Sequence, residues 1–309
     1  MRIVFMGNHQ FAIPTLKKLQ ESNYEVVGVV SNPPKHMGRG RKLQSTAVGK
    51  YAKNNGLNLI EVESLKSTNI YRKLVSLNPD IFVVVAYRIL PQPLIKIPKF
   101  GAVNLHASLL PKYRGPGPIQ WALMNGDELT GVTIFQISKK VDTGAILFQK
   151  EFNIELNDNF FTLGQRLCNK GASLMIETLK GIKDGSIKPI SQNHSNASRA
   201  PKITKEMTII DWTWPAKKIH NWIRGLTPFP GMFTKWKGKR LRIFNTKIVN
   251  ENDIMYTGKI FTISNNEISV STGKHLLAFS EVQLEGKKRM NVSEFMKGNR
   301  FYVGDQLGE

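Results

Sequence analysis

Short apolar runs alternate with segments of helical spacing along the first 150 residues of the chain. Runs at residues 2–6, 24–30, 81–86 and 101–106 predict β-strands. The run at 81–86, Ile-Phe-Val-Val-Val-Ala, has no polar position, which is typical of a strand buried on both faces of a parallel sheet. Helical spacing extends to about residue 20, returns at 45–55 and begins again at Pro118. This alternation predicts a Rossmann-like α/β domain with a mostly parallel sheet.

The pattern changes near residue 188. Residues 130–137 and 145–154 still suggest strands, and 159–183 suggest a long helix, but 188–205 have no apolar periodicity and predict a linker. A short helix at 215–225 precedes strands at 240–249, 256–263, 267–271 and 275–284, separated by Gly and Asn. Such spacing favours a small antiparallel β-barrel of the OB-like type. We therefore expect an N-terminal domain over 1–188, a linker over 189–207 and a C-terminal domain over 208–309.

Composition narrows the functional classes. The 309 residues are 41% hydrophobic and 22% charged, which excludes a disordered, collagen-like or disulfide-scaffold chain. Lys and Arg number 44 against 23 Asp and Glu, a formal net charge of +21. Two long stretches contain bases and no acid, six bases over residues 26–60 and nine over 212–250. This distribution favours a polyanionic partner such as a nucleic acid backbone.

The cellular location and the oligomeric state of the protein are predicted from features that its sequence lacks. The apolar runs are far shorter than the roughly 20 residues that a membrane span needs, and the opening residues are too short an apolar run for a signal peptide. The lone cysteine, Cys168, forms no intrachain disulfide and falls in the predicted long helix, where we expect an inert core residue. We expect a cytoplasmic monomer without membrane association.

One segment combines residue types that can carry chemistry. Asn104 and His106 lie two apart on a predicted strand, so both side chains share one face at the carboxyl edge of the sheet. A neutral imidazole can accept a proton, a side-chain amide can stabilise an oxyanion, and a carboxylate such as Asp142 can orient the imidazole or take the proton. For an Asn-x-His pair alone, a purely structural role at the strand end is the more frequent outcome. The turn after the first strand, Gly7-Asn-His-Gln-Phe-Ala12, lacks the glycines of a dinucleotide fingerprint.

The surrounding sequence is more specific. Residues 104–119 contain Asn-Leu-His and Ser-Leu-Leu-Pro, and Gly131-Val-Thr and Val141-Asp-Thr-Gly144 follow. This pattern resembles the formyltransferases that use 10-formyltetrahydrofolate. A Gly-Arg-Gly segment at 38–40 and Ala-Pro-Lys-Ile-Thr-Lys-Glu at 200–206 extend the resemblance over nearly the whole chain, toward the members whose acceptor is methionyl-tRNA. Arg88 stands where glycine is frequent in that family.

The resemblance implies a function and assigns residues to it. The expected reaction transfers a formyl group from 10-formyltetrahydrofolate to the α-amino group of methionyl-initiator-tRNA, with Asn104, His106 and Asp142 as the catalytic residues and no metal. It implies a folate pocket walled by Tyr87, Leu90, Ser108, Leu109, Leu110 and Pro111. It also implies that Arg39, Arg41 and Lys42 meet the phosphates of the tRNA acceptor end, while the C-terminal barrel contacts the same tRNA.

Two other readings stay open at this point. A formyltransferase of the same chemistry could act on a small amine, glycinamide ribonucleotide or an amino sugar nucleotide. Alternatively, the barrel could make the chain a non-catalytic RNA-binding protein with a degenerate α/β half. Basic stretches in both halves argue against the small acceptors, and the complete Asn-His-Asp set argues against the non-catalytic reading.

Overall fold

The chain folds into two compact units in a computed structural model that describes residues 1–38, 40–250 and 256–308. The first unit contains residues 1–118, 129–153 and 164–200, and the second contains 119–128, 154–163 and 201–309. None of the helices in the described ranges combines the length and apolar character that crossing a bilayer requires.

Strands and helices alternate through most of the first 150 residues, as the apolar pattern predicts, and two strands and a long helix follow. The elements are β1 (Arg2–Gly7), α1 (Ile13–Gln20), β2 (Glu25–Ser31), β3 (Lys35–Met37), β4 (Lys42–Gln44), α2 (Ala47–Asn54), β5 (Leu59–Glu61), α3 (Thr68–Ser76), β6 (Ile81–Val85), α4 (Gln92–Ile95), β7 (Ala102–His106), α5 (Pro118–Asn125), β8 (Leu129–Gln136), β9 (Ile146–Asn153) and α6 (Phe160–Asp184).

Seven strands of the first unit form one sheet in the order β5-β2-β1-β6-β7-β8-β9. The first four neighbouring pairs are parallel, and the pairs β7–β8 and β8–β9 are antiparallel. The predicted mostly parallel sheet is therefore confirmed. Because parallel strands end at the same edge, β1, β2, β6 and β7 all deliver their following loops to one edge of the sheet.

The centre of this sheet is buried on both faces. Ile3 and Phe5 of β1 and Val83 of β6 are completely inaccessible, as are Val4 and Phe82, which alternate with them. This burial explains the unbroken apolar run at 81–86, since both sets of alternating side chains need an apolar environment. The strand ends are thereby held rigidly, which is the condition for placing side chains at the sheet edge with fixed geometry.

The second unit is built around an antiparallel sheet. Its later elements are α7 (Ala216–Leu226), β10 (Met232–Trp236), β11 (Lys239–Val249), β12 (Ile260–Ile263), β13 (Ile268–Ser271), β14 (Leu276–Leu284), β15 (Met290–Asn291) and α8 (Val292–Phe295). The strands run in the order β10-β11-β14-β13-β12, and β15 pairs with β14. All of these pairings are antiparallel, so the predicted antiparallel second domain is confirmed. Strand β10 was absent from the predicted elements.

The segment predicted as a linker is divided between the units. Residues 189–200 belong to the first unit and 201–207 to the second. Ile190 exchanges two backbone hydrogen bonds with Ile146 of β9, at 2.8 Å each. The first part of this stretch therefore pairs with the first unit.

Helix α7 carries a histidine that is mostly buried against the second sheet. His220 Nδ1 lies 2.8 Å from the Thr246 hydroxyl on β11. Burial lowers the pKa of His220 to about 4, and the positive charge of Arg224 one turn later on the helix acts in the same direction. The folded second unit therefore requires a neutral imidazole at this position.

This requirement predicts an acid-sensitive second unit. A depressed folded pKa gives stability that is complete above the unfolded value near 6.5 and is lost as the pH falls toward 4. We expect the free energy of unfolding to fall by roughly 2 kcal/mol between pH 8 and pH 5 because of this group. Urea unfolding at both pH values should show a smaller fall in His220→Gln, whereas His9→Gln, at an exposed position, should keep the wild-type fall. An equal fall in the His220 variant would contradict this assignment.

Candidate active site

Strand β7 delivers both Asn104 and His106 to the carboxyl edge of the first sheet. Asn104 pairs in register with Val84 of the parallel strand β6 and with Phe135 of the antiparallel strand β8. Its side chain is half-buried, and no hydrogen bond to its amide is present among the described residues. The two neighbouring strands thus fix the Asn104 backbone, and its side-chain amide is available to a ligand.

His106 is held by a backbone carbonyl. The side chain is 6% exposed, and its Nε2 lies 2.9 Å from the carbonyl oxygen of Tyr113. Because a carbonyl only accepts hydrogen bonds, Nε2 carries a hydrogen. The ring meets Phe135 edge to face, with centroids 6.4 Å apart. The nitrogen that can gain or lose a proton is therefore Nδ1.

Asp142 lies on the Nδ1 side of the imidazole. The distance from His106 Nδ1 to Asp142 Oδ2 is 3.8 Å, an ion-pair distance that is longer than a hydrogen bond. The same Oδ2 accepts a hydrogen bond of 2.8 Å from the backbone N–H of Gly115, and the side chain is 13% exposed. The carboxylate is therefore oriented by one donor while its remaining lone pairs face the imidazole and solvent.

Side-chain hydrogen bonds from the neighbouring strands hold the loop after β7. Thr133 Oγ1 donates to the Ser108 carbonyl oxygen at 2.7 Å and accepts from Leu110 N at 3.1 Å and Gln149 Nε2 at 2.8 Å. Gln149 also donates to the Leu110 carbonyl oxygen at 2.9 Å. These bonds fix the backbone of the Ser-Leu-Leu-Pro segment independently of any ligand.

The side chains expected to line a folate pocket differ in accessibility. Ser108 is fully buried and its hydroxyl donates to the Lys112 carbonyl oxygen at 2.7 Å, and Leu90 and Leu110 are also buried. Leu109, Pro111 and Tyr87 are partly exposed. A ligand at this edge would therefore reach the Ser-Leu-Leu-Pro segment through its backbone and through these last side chains.

Arg88 forms hydrogen bonds to loops at the same edge of the sheet. Its guanidinium donates to the carbonyl oxygens of Val62 and Glu63, at 2.7 Å each, and to the Tyr87 hydroxyl at 2.8 Å. Burial raises the pKa of Tyr87, and Arg88 opposes that shift. The residue before them, Ala86, has a φ of 48°, so the chain turns sharply as it leaves β6. Arg88 thus joins the loops after β5 and β6.

The basic segment expected to meet tRNA forms a hairpin. Strands β3 and β4 pair antiparallel, and Arg41 and Lys42 are exposed, while Arg39 lies outside the described residues. The His36 Nδ1–H donates to the Arg41 carbonyl oxygen at 2.6 Å. Antiparallel pairing on both sides therefore holds the ends of this basic segment together.

Two residues near the site were missed by the sequence reasoning. Gln192 and Ser198 lie in the predicted linker and bond to the loops that carry Asp142 and Tyr113. Neither residue lies on a helix or strand, and most of their partners are backbone groups, so no pattern in the sequence points to them. Within the described ranges, no group of three His, Cys, Asp or Glu side chains is arranged to hold a metal ion.

Comparison with known proteins identifies the family of this chain. Residues 1–179 match the formyl transferase family, and residues 202–300 match the formyl transferase C-terminal domain. The methionyl-tRNA formyltransferase of Caldanaerobacter subterraneus subsp. tengcongensis is 42% identical over 309 residues, covering 99% of this chain and 100% of that relative. The Clostridioides difficile enzyme of the same name is 39% identical, covering 100% of both. This chain belongs to the methionyl-tRNA formyltransferase family.

Solved structures share the fold at lower identity. WlaRD, a sugar 3N-formyl transferase solved in the presence of dTDP and 5-N-formyl-THF, has a TM-score of 0.67 and 21% identity, covering 93% of this chain and 99% of that one. HypX from Aquifex aeolicus in complex with tetrahydrofolic acid has a TM-score of 0.67 and 18% identity, covering 98% of this chain and 50% of that one. At these identities the likeness concerns the fold alone.

The hydrogen bonds of Thr133 to the Ser-Leu-Leu-Pro segment predict that loss of its hydroxyl destabilises the protein. Thr133→Val removes the hydroxyl and leaves the Leu110 N–H and the Ser108 carbonyl without that partner in a buried setting. We expect a loss of about 2 kcal/mol or more in unfolding free energy, since each unpaired buried polar group costs about 1–3 kcal/mol. Chemical denaturation measures it, with Thr133→Ser as the control that keeps the hydroxyl. Equal stability of the Val and Ser variants would show that the hydroxyl does not hold the loop.

Proposed function

We propose that this protein transfers the formyl group of 10-formyltetrahydrofolate to the α-amino group of methionyl-initiator-tRNA. The observation that carries the proposal is full-length similarity, at about 40% identity, to methionyl-tRNA formyltransferases. The complete set of Asn104, His106 and Asp142 at one sheet edge supports it. The reaction belongs to translation initiation and hence to the cytoplasm, and a monomer suffices because all three residues come from one chain.

The donor set fits a formyl oxygen. The Asn104 amide has no partner among the described residues, and His106 Nδ1 lies beyond hydrogen-bond distance of Asp142. The Asn104 N–H, and Nδ1 once it is protonated, can therefore each donate to a carbonyl oxygen of a ligand. The folate, when bound, supplies an activated formyl carbon on N10. We assign its pocket to Tyr87, Leu90 and the Ser108–Leu109–Leu110–Pro111 segment, largely through the backbone of that segment.

The three side chains have separate tasks in this mechanism. The attacking amine must be neutral, which an α-amino pKa of roughly 7.7–8.0 allows at cellular pH. As the new C–N bond forms, negative charge grows on the formyl oxygen, where the Asn104 N–H and a protonated Nδ1 of His106 stabilise it. Loss of one such donor typically costs on the order of 10²–10³ in rate.

Proton balance assigns the remaining task to Asp142. The amine loses one proton as its bond to the formyl carbon forms, and the leaving N10 gains one as its bond to that carbon breaks. Asp142 is the nearby carboxylate that can accept the first proton and return it for the second, directly or through water. His106 meanwhile keeps its Nε2–H on the Tyr113 carbonyl, so the ring does not rotate away.

We propose that the positive charge of the protein binds the phosphates of the tRNA. Residues 1–207 carry a net charge of +14 and residues 208–309 carry +7, so both halves are basic. We assign the hairpin with Arg41 and Lys42, together with Arg39, to the acceptor end, and residues 208–309 to further contacts with the tRNA. Residues 1–188 would then be the formyltransferase domain, with 189–207 connecting the two.

A comparison of acceptors tests the function. We expect formyl transfer from 10-formyltetrahydrofolate to methionyl-initiator-tRNA, and none to glycinamide ribonucleotide, to an amino sugar nucleotide or without acceptor. Asp142→Asn should abolish turnover while the tRNA Kd changes by less than about tenfold, which is 1.4 kcal/mol. Radiolabelled formyl transfer and filter binding measure the two quantities.

Each alternative gives a different result in this assay. Transfer to a small amine alone would identify that acceptor, and tRNA binding without any transfer would indicate a non-catalytic RNA-binding protein. A tRNA Kd more than tenfold weaker in Asp142→Asn would count against a purely chemical role for this carboxylate.

The hairpin assignment makes a separate prediction about salt. Arg41→Ala combined with Lys42→Ala removes two exposed bases. We expect weaker tRNA binding and a salt dependence, log K against log salt, that is shallower by roughly 1.5, because each lost phosphate contact removes about 0.7–0.9. Lys180→Ala with Lys183→Ala, exposed on α6, removes the same charge and serves as the control. If both double variants behave alike, the hairpin makes no specific phosphate contact.

A further inference from the structure

Gln192 lies where the two loops of the proposed active site meet. Its side chain is 7% exposed, and every hydrogen-bonding atom of its amide is used. Nε2 donates to the carbonyl oxygens of Asp142, at 3.0 Å, and Gly144, at 2.7 Å. Oε1 accepts from Arg114 Nε at 3.1 Å and Nη2 at 2.5 Å. One buried amide therefore ties the backbone of the Asp142 loop to the side chain of Arg114.

Arg114 belongs to the backbone segment that orients the other groups of the site. The residue before it, Tyr113, presents the carbonyl that holds His106, and the residue after it, Gly115, donates the N–H that holds the Asp142 carboxylate. Ser198 binds the same segment, since its hydroxyl accepts from Tyr113 N at 2.9 Å and its carbonyl accepts from Arg114 N at 2.9 Å. Residues 192–198 thus fix both loops.

The Asp142 backbone needs such support. Its φ of 52° lies in the left-handed region, which is unfavourable for a residue with a side chain. Such conformations persist where the surroundings determine them. Gln192 bonds to the carbonyls on both sides of Thr143 and so restrains the turn that aims the carboxylate. A displacement of about 1 Å in a reacting group can reduce a rate about 10²-fold.

We propose that Gln192 is a positioning residue for formyl transfer, which sets the distance between Asp142 and His106 by holding the backbone of both loops. The inference rests on the proposed function, because the rate it affects is that of transfer. In this assignment Gln192 touches neither the formyl donor nor the amine. Removing its amide should leave substrate binding intact and slow the step in which Asp142 takes a proton.

Gln192→Leu tests the proposal, because it keeps the approximate volume and removes every hydrogen bond of the amide. We expect the single-turnover rate at saturating substrates to fall about 10²-fold while the Kd values for tRNA and folate change by less than about threefold. Asn58→Leu is the control, since the Asn58 side-chain amide also donates to a backbone carbonyl of the first unit, that of Val27 on β2. It should leave the rate near wild type.

Gln192→Glu covers the case in which the Leu variant does not fold. The carboxylate keeps the shape and the bond to Arg114 but turns an acceptor toward the Asp142 and Gly144 carbonyls, so the rate should fall similarly. An unchanged rate in a folded variant, or a rate loss matched by equal losses in Kd, would overturn the proposal. If the wild-type protein formylates no Met-tRNA, the proposed function fails instead, and the same variants are compared on the acceptor that the wild type uses.

Discussion

Two backbone groups of a short loop segment hold the imidazole and the carboxylate of the candidate site. The Tyr113 carbonyl receives the Nε2–H of His106, and the Gly115 N–H donates to Asp142. Because these two groups are two residues apart on one stretch of chain, the imidazole and the carboxylate are positioned relative to each other by a single piece of backbone. The 3.8 Å between Nδ1 and Oδ2 follows from the position of that segment.

The segment is itself placed by close backbone approach. Gly115 has a φ of +122°, and a Cβ there would lie 2.6 Å from the Ala200 carbonyl oxygen. Any side chain at this position would push residues 198–200 away and remove the bonds that they make to Tyr113 and Arg114. Gly144 imposes the same condition on the opposite loop, where a Cβ would meet the Gln136 carbonyl. Glycine at these two positions is therefore a geometric requirement of the site.

The predictable part of the site is the part that lies on regular elements. The alternation along residues 101–106 was sufficient to place Asn104 and His106 on one face, because a strand fixes side-chain direction with a period of two. The hairpin β3–β4 escaped prediction because Lys42, Leu43 and Gln44 are all exposed, so pairing leaves no alternation of buried and exposed positions. Gln192 and Ser198 escaped because neither lies on a regular element and, apart from the Arg114 side chain, the partners named here are peptide groups, which every residue possesses. Sequence patterns report burial, whereas these contacts depend on where the backbone passes.

Neutral partners hold the site, and this has an electrostatic consequence. The Arg114 guanidinium comes close to the Asp142 loop, yet its bonds end on the Gln192 Oε1 and on His194 Nδ1. A direct ion pair between Arg114 and Asp142 would stabilise the carboxylate in its charged form and would oppose the proton transfer that we propose for it. With an amide between them, the arginine contributes rigidity, while the one hydrogen bond to the Asp142 carboxylate among the described residues comes from a peptide N–H. The Gln192 amide thus holds the loop of the carboxylate without neutralising the carboxylate charge, which is the arrangement that the proposed proton transfer requires.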